Sequence, residues 1–298
     1  MPDRDTALGL TGRQRQRSPS GRESDASRPV TTIQPSRGWA ALRVRELWEY
    51  RELFYFLMWR DIKVRYKQTA LGAAWAVLQP FTTMVVFSVF FGSLAGVPSG
   101  GASYPVFFFS ALVPWTFFAT AVALGANSLV QYEELVSKVY FPRLIMPAAA
   151  VFACLLDLAI ASVVLLGMLL VYGTTPSLAI LTLPFFVALA AVTALAASLW
   201  LSGLNVLYRD VRYVIPFLVQ LGLFLSPVAY ASDLVPEPWR SLYQLNPMAG
   251  VIDGFRWALV DGPAPGPILA GATAVALGLL GGGIMYFRRI ERSFADVI

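Results

Sequence analysis

The chain has 298 residues, of which 57% are hydrophobic and only 14% charged, with a mean hydropathy of +0.61. Soluble domains carry roughly 25% charged residues, so this composition excludes an ordinary soluble fold and indicates an integral membrane protein. The net charge of +5 does not indicate nucleic acid, because the cations sit in short segments beside apolar runs, the pattern that orients a membrane protein.

Missing residue types narrow the chemistry. The one cysteine, Cys154, lies in an apolar segment. It permits no intrachain disulfide, and a single thiol cannot build a metal site. Histidine, the commonest general base and metal ligand, is absent. The three lysines, Lys63, Lys67 and Lys138, do not follow glycines. No phosphate-cradling Gly-Lys-Ser/Thr loop is therefore encoded, and if ATP drives this protein another chain must bind it.

Residues 1–38 are rich in Arg, Ser, Pro and Gly. They cannot bury enough apolar surface to offset chain entropy, and a disordered tail without a signal-peptide core is expected. Residues 39–67 read as an amphipathic helix. Leu47, Tyr50, Phe54, Leu57 and Met58 share one face, and Arg45, Glu49 and Glu52 another. A collar of Trp59, Arg60, Asp61, Lys63, Arg65, Tyr66 and Lys67 follows, and no further charge occurs until Glu133. Such a helix can lie in the headgroup layer, cations near anionic lipid and aromatics at the interface. The plainer alternative is a helix packed on a soluble core. It is disfavoured by the length of the uncharged run that follows.

Residues 68–298 contain six apolar runs, at about 70–94, 105–130, 144–172, 178–207, 214–230 and 267–287. Each is near or above the roughly 20 residues needed to cross hydrocarbon. The expected fold is all-α with six transmembrane helices. Pro114 predicts a kink in the second run. Lys and Arg concentrate before run one, between two and three, between four and five, and after six, which predicts cytoplasmic termini. Between runs five and six, Pro236 can start one short helix. Asn246-Pro247 can cap a second, with Gly262 past its end. Val251, Ile252, Phe255 and Leu259 make its apolar side, and Asp253 and Arg256 are spaced to pair. Two helices dipping into the outer half of the bilayer account for this apolar segment, provided protein or a cavity satisfies their ends.

Asp157 lies well inside the third run. An intramembrane acid is a functional candidate by default. A hydrogen-bonded acid between helices is the favoured reading, because no basic residue sits in another run as its partner. Gly278 and Gly282 form a small-xxx-small pair that can mark close helix contact, although chance accounts for it equally well. Aromatics make up 13% of the chain, and any one of them is more often a packing or interface residue than a ligand contact.

The segment from Trp59 to Gly72, followed by Trp75 and Leu78-Gln79-Pro80, resembles the leading segment of polysaccharide-export permeases, the Wzm- or TagG-like membrane subunits of type-2 ABC exporters. Lys138-Val139-Tyr140-Phe141-Pro142-Arg143, Tyr208-Arg209-Asp210-Val211-Arg212-Tyr213, Ser226-Pro227-Val228 and Leu245-Asn246-Pro247-Met248 extend the resemblance in order, over about 47–298. It implies a homodimer in the bacterial plasma (inner) membrane. Each subunit would carry a cytoplasmic interface helix, a coupling helix and short outer gate helices. It also implies two copies of a separate ABC ATPase that hold ATP and Mg, with no cofactor in this chain. The implied substrate is a lipid-linked polysaccharide of the O-antigen, teichoic acid or galactan class, moved outward along an aromatic-lined path.

With that implication, Glu133, Glu134, Lys138, Tyr140, Phe141 and Arg143 are the candidate ATPase-coupling residues, Tyr140 and Phe141 as apolar anchors. Asp253, Phe255, Arg256 and Trp257 are the candidate outer-gate residues. A drug or lipid exporter of the same type is the nearest alternative. A membrane-embedded glycosyltransferase is weakened because the loop 96–104 has no acid, and an ion-coupled transporter because Asp157 alone could serve it.

Overall fold

The computed structural model describes residues 48–67, 74–139, 141–243, 245–266 and 268–291. The expected tail 1–38, the start of the amphipathic segment, the motif residues Gln68 to Gly72, and Tyr140 lie outside the described residues. All regular elements among the described residues are helical.

Helix α1 (Arg51–Lys67) precedes the apolar helices, and α2 (Ala74–Phe87) widens into a π-helical stretch, Ser88–Leu94. A turn follows in which Gly100 and Gly101 take positive φ, 64° and 92°, where a Cβ would be strained. Helix α3 (Tyr104–Gln131) starts with Pro105 in its first turn and continues through Pro114. The short α4 (Glu133–Lys138) follows. The third apolar run consists of α5 (Ile145–Ala153) and α6 (Leu155–Val171), joined at Cys154 by a tightened turn in which its N–H donates to the Val151 carbonyl at 3.1 Å. A 3₁₀ turn, Leu178–Thr182, leads into α7 (Leu183–Leu207). Then come α8 (Val211–Leu225), α9 (Glu237–Tyr243), α10 (Pro247–Val260) and α11 (Ile268–Glu291).

Five stretches are long and apolar enough to cross a membrane: Val77–Leu94, Tyr104–Gln131, Ile145–Val171, Leu178–Leu207 and Leu269–Glu291. The fifth predicted run forms α8, which has 15 residues. At ~1.5 Å per residue it is shorter than a hydrocarbon core of ~30 Å. The helix stops where Ser226 turns extended, φ −116° and ψ 151°, as the residue before Pro227 is biased to do.

Burial is uneven. In α3, 72% of the apolar window is buried, against 11% in the first span. Helices α2, α5, α6, α7, α8 and α10 all pack on α3. Glycines set the close approaches. A Cβ on Gly125 of α3 would stand 2.4 Å from Ser198 Oγ of α7, and one on Gly254 of α10 would stand 2.0 Å from the Phe186 ring. The Gly278–Gly282 pair is not a contact pair within the chain. A Cβ at Gly278 would meet nothing within 4 Å, whereas Gly282 and Gly283 together admit the Trp200 indole, whose Nε1 donates to the Leu279 carbonyl at 3.0 Å. A second apolar cluster joins Leu57 of α1 to Leu129, Val136, Phe141, Leu144, Ile145 and Phe287.

Gly254→Val should therefore cost about 1–3 kcal/mol of stability through overpacking, while Gly278→Val should change it little. Thermal unfolding of the two variants in detergent checks this ordering, and equal losses would refute the packing assignment.

Candidate functional site

Polar side chains gather at two opposite ends of the bundle. At the end carrying α1 and α4, the acid Asp157 of α6 meets α1. The Tyr66 hydroxyl donates to Asp157 Oδ1 and Arg65 Nη1 donates to Oδ2. Arg65 Nη2 lies 3.6 Å from Cys154 Sγ. Asp157 thus takes its donors, a cation among them, from the helix before the first span and not from another span. Arg65 and Tyr66 thus turn toward the bundle, away from the headgroup layer expected for the whole collar.

One turn earlier, Arg60 donates to Asp61 Oδ1 from Nε at 3.2 Å and Nη2 at 2.9 Å. The Tyr132 hydroxyl donates to the same oxygen at 3.1 Å, and the Arg60 guanidinium lies 3.8 Å over the Tyr132 ring. Burial raises the Tyr132 phenol above its ordinary value, so it remains a donor to Asp61 at neutral pH. Tyr132 immediately precedes α4. Helix α1 therefore holds both the segment leading into α4 and, through Asp157, the helix that continues the chain after it. Trp59, Lys63 and Lys67 stay exposed on the other side of α1.

The five candidate coupling residues that are described do not form one surface. Glu133, Glu134 and Lys138 are exposed, and Lys138 Nζ pairs with Glu134 Oε2 at 3.1 Å. Phe141 is only 4% exposed, inside the second apolar cluster, so it cannot be a docking anchor as placed. Arg143 is committed to α11: its N–H donates to Glu291 Oε1 at 3.0 Å and its Nη1 to the Glu291 carbonyl at 2.7 Å. Among the described residues of this hairpin, Val139 is an exposed apolar side chain. Tyr140 lies outside the described residues.

At the opposite end, Asn246 caps α10 by accepting from the Met248 N–H at 3.0 Å. Its Nδ2 donates to the Leu225 carbonyl at 3.2 Å and to Ser226 Oγ at 3.0 Å, tying α10 to the end of α8. Arg256 is 4% exposed. It donates from Nη1 to the Tyr230 carbonyl at 2.9 Å and from Nη2 to the Val228 carbonyl at 3.0 Å, and it lies 3.7 Å over the Phe107 ring. Tyr104 donates to the carbonyl between these two, Ala229, at 2.8 Å. The turn after Pro227 thus has three successive carbonyls held by side chains.

Asp253 and Arg256 do not form the expected ion pair. Asp253 accepts the Ser232 hydroxyl, its oxygens lying 2.8 and 2.7 Å away, and Arg256 goes to main-chain carbonyls. Burial raises the Asp253 carboxyl above the usual carboxylate range, offset in part by Ser232 and Arg256. Burial lowers the Arg256 guanidinium to about 10, which keeps it charged at neutral pH. Phe255 is buried, and Trp257 meets Phe186 edge to face at 6.5 Å. At the other extreme α9 exposes Trp239 and Leu242, and is held by Arg240 to Asp233 at 3.0 Å and by the Tyr243 hydroxyl to that of Tyr230 at 3.2 Å.

Sequence reasoning missed Tyr104, Phe107, Tyr230, Ser232 and Glu291 as partners. The one available signal was that Ser226-Pro227-Val228 and Leu245-Asn246-Pro247-Met248 are the two motifs that Asn246 joins. Among the described residues, no three His, Cys, Asp or Glu side chains could hold a metal ion. Both constellations bind elements to each other.

A family model described as ABC-2 type transporter matches residues 52–260. The O-antigen export system permease protein RfbA of Myxococcus xanthus is 31% identical over 261 residues, covering 86% of this chain and 98% of that protein. A protein of the same name from Klebsiella pneumoniae is 27% identical over 240 residues, 80% of this chain and 92% of that one. The polysialic acid transport protein KpsM of Escherichia coli is 24% identical over 209 residues, 69% and 80% respectively.

Breaking the α1 clamp from one side should leave a polar group stranded at a cost of about 1–3 kcal/mol. Asp157→Asn and Arg65→Gln should each lower the unfolding temperature in detergent, and the double variant should lose less than the sum. Strictly additive losses would show that the two side chains do not interact. At the other end, Arg256→Lys should be nearly as damaging as Arg256→Ala, because one ammonium cannot replace a planar fork serving two carbonyls. Labelling of a cysteine placed at Ala229 should rise in both variants; protection retained in Arg256→Lys would contradict the fork.

Proposed function

The chain belongs to the ABC-2 type transporter family, and from that premise we propose that it is the membrane permease subunit of an ATP-driven exporter that moves lipid-linked polysaccharide outward across the bacterial plasma membrane. The observation that carries this is the 31% identity over 98% of a relative named as an O-antigen export permease. Agreement with a polysialic acid transport protein over most of its length supports polysaccharide as the substrate class.

In this reading the chain crosses the membrane six times, with α8 as a short fifth crossing, and both termini are cytoplasmic. Residues 39–67 supply the interface helix and 68–298 the transmembrane domain. Two copies assemble. The exposed side chains of α2, of the π-helical stretch after it and of α8, including Trp75, Phe81, Phe90, Tyr213, Phe217 and Phe224, support a partner or a polymer path on those faces. ATP hydrolysis occurs on two copies of a separate ATPase that hold ATP and Mg.

Helix α4 docks that ATPase through Glu133, Glu134 and Lys138, with Val139 as the apolar contact. Because α1 grips both flanks of α4, displacement of α4 would move α1 and α6 with it. The outer gate narrows to α9. Helix α10 is pinned by Asn246, Asp253, Arg256 and the Phe186 ring on Gly254, whereas α9 is attached by the Arg240–Asp233 ion pair, worth about 0–1 kcal/mol, and by the Tyr243 hydroxyl donating to that of Tyr230 at 3.2 Å.

Deleting the gene should abolish surface polysaccharide, and the wild-type chain should restore it. Glu133→Lys with Glu134→Lys should weaken ATPase co-purification and cut export severalfold while the protein still reaches the membrane. Normal polysaccharide in the deletion strain would overturn the substrate assignment. Unchanged co-purification and export in the charge-reversed variant would overturn the role of α4.

A further inference from the structure

Helix α11 ends on the hairpin that carries α4, and the contact there joins two helix termini. The first turn leading into α5 opens at Pro142 and Arg143, whose carbonyls accept from the Ile145 and Met146 N–H groups at 3.0 and 3.1 Å. The N–H groups of such a turn have no intrahelical acceptor. Glu291 Oε1, on the last residue of α11, accepts the Arg143 N–H at 3.0 Å. In return Arg143 Nη1 donates to the Glu291 main-chain carbonyl at 2.7 Å, one of the carbonyls that a helix end leaves without an intrahelical donor. Each terminus thus caps the other. The charges suit their places too, because a carboxylate is favoured where a helix starts and a guanidinium where one ends.

Phe287 stands one turn before Glu291, on the same face of α11. It is fully enclosed in the apolar cluster that also holds Val136 of α4 and Phe141 of the segment leaving it. Helix α11 therefore meets the hairpin twice, by apolar burial at Phe287 and by hydrogen bonds at Glu291. Both hydrogen bonds involve main-chain groups, one on each side, so they fix backbone as well as side chains. Helix α1 reaches the hairpin before α4, at Tyr132, whereas α11 reaches it after α4, at Arg143. Any push on α4 arrives at Arg143 before it reaches the third span. About two turns back from Glu291, Gly282 and Gly283 seat Trp200 of α7.

We propose that Glu291 is a positioning residue for the coupling of ATP hydrolysis to transport. With Phe287 it fixes the backbone where the α4 hairpin enters the third span, and it passes movement of α4 to α11 and α7 as well as to α1 and α6. This role rests on the docking of α4 to the ATPase given above. Glu291 acts through Arg143.

Two variants and two measurements test it. Glu291→Ala removes the acceptor of the Arg143 N–H, whereas Glu291→Gln keeps an oxygen in its place; thermal unfolding confirms that both are folded. With the full-length chain alone in nanodiscs, amide hydrogen exchange across residues 133–146 should quicken about tenfold in Glu291→Ala and stay near the wild-type rate in Glu291→Gln. Exchange unchanged in Glu291→Ala, or raised equally in both, would overturn the latch whatever the chain exports. In the complex with the ATPase, polymer exported per ATP hydrolysed should fall severalfold in Glu291→Ala, with the ATPase still co-purifying, and recover in Glu291→Gln. A wild-type ratio alongside faster exchange would show a contact that is structural only, and would overturn the positioning role. Failure of α4 docking itself shows instead in the charge-reversed Glu133, Glu134 variant, which leaves Glu291 intact.

Discussion

Burial of apolar surface along α3 joins the elements that would otherwise have no common partner. Helices α5, α6, α7 and α10 each lay a face on it, and the side chains of Phe108, Phe109 and Phe117 are enclosed as a result. In hydrocarbon the lipid tails are as apolar as these side chains, so burial alone does not hold helices together there. Close approach does, through dispersion between surfaces that fit. Gly125 and Gly254 permit that approach by letting Ser198 and Phe186 reach the backbone of a neighbouring helix. The smallest residues of the chain therefore decide where its largest contacts form.

The two polar ends solve the same problem by different means. A carboxylate within an apolar helix needs donors, and Asp157 takes them from α1, an element outside the spanning run. A guanidinium below the surface needs acceptors, and Arg256 takes main-chain carbonyls left over where α8 stops at Ser226. In each case one side chain's demand for partners fixes the position of a neighbouring segment. The cost of an unpaired group, about 1–3 kcal/mol, is what makes the attachment specific.

Much of this was legible in the sequence. Long apolar runs announced the spans, Asn246-Pro247 announced the start of α10, and Leu57 and Met58 announced the packed face of α1. What was not legible depended on contacts between distant residues. Arg65 lies 92 positions from Asp157, and no periodicity links them. Phe141 beside Arg143 looked like an aromatic anchor on a charged hairpin; the cluster formed by Leu57, Val136 and Phe287 encloses it instead. Asp253 and Arg256 had the spacing of a helix-surface pair, but that rule describes solvated faces, and here the turn at Val228–Tyr230 offered stronger acceptors. The end of α8 was overestimated because composition stays apolar through Tyr230, while the backbone leaves the helix at Ser226.

The Trp200 indole seated on Gly282 and Gly283 has a mechanical consequence. A ring keyed into a notch resists both sliding and rotation, and its hydrogen bond to the Leu279 carbonyl removes the remaining freedom. Helices α7 and α11 must then shift as one body, with α3 wedged against α7 by Ser198 on Gly125. Compliance is left to α2 and α8, whose buried side chains within their helical spans are few. A molecule built this way deforms at α2 and α8 while the frame of α3, α7 and α11 keeps its shape.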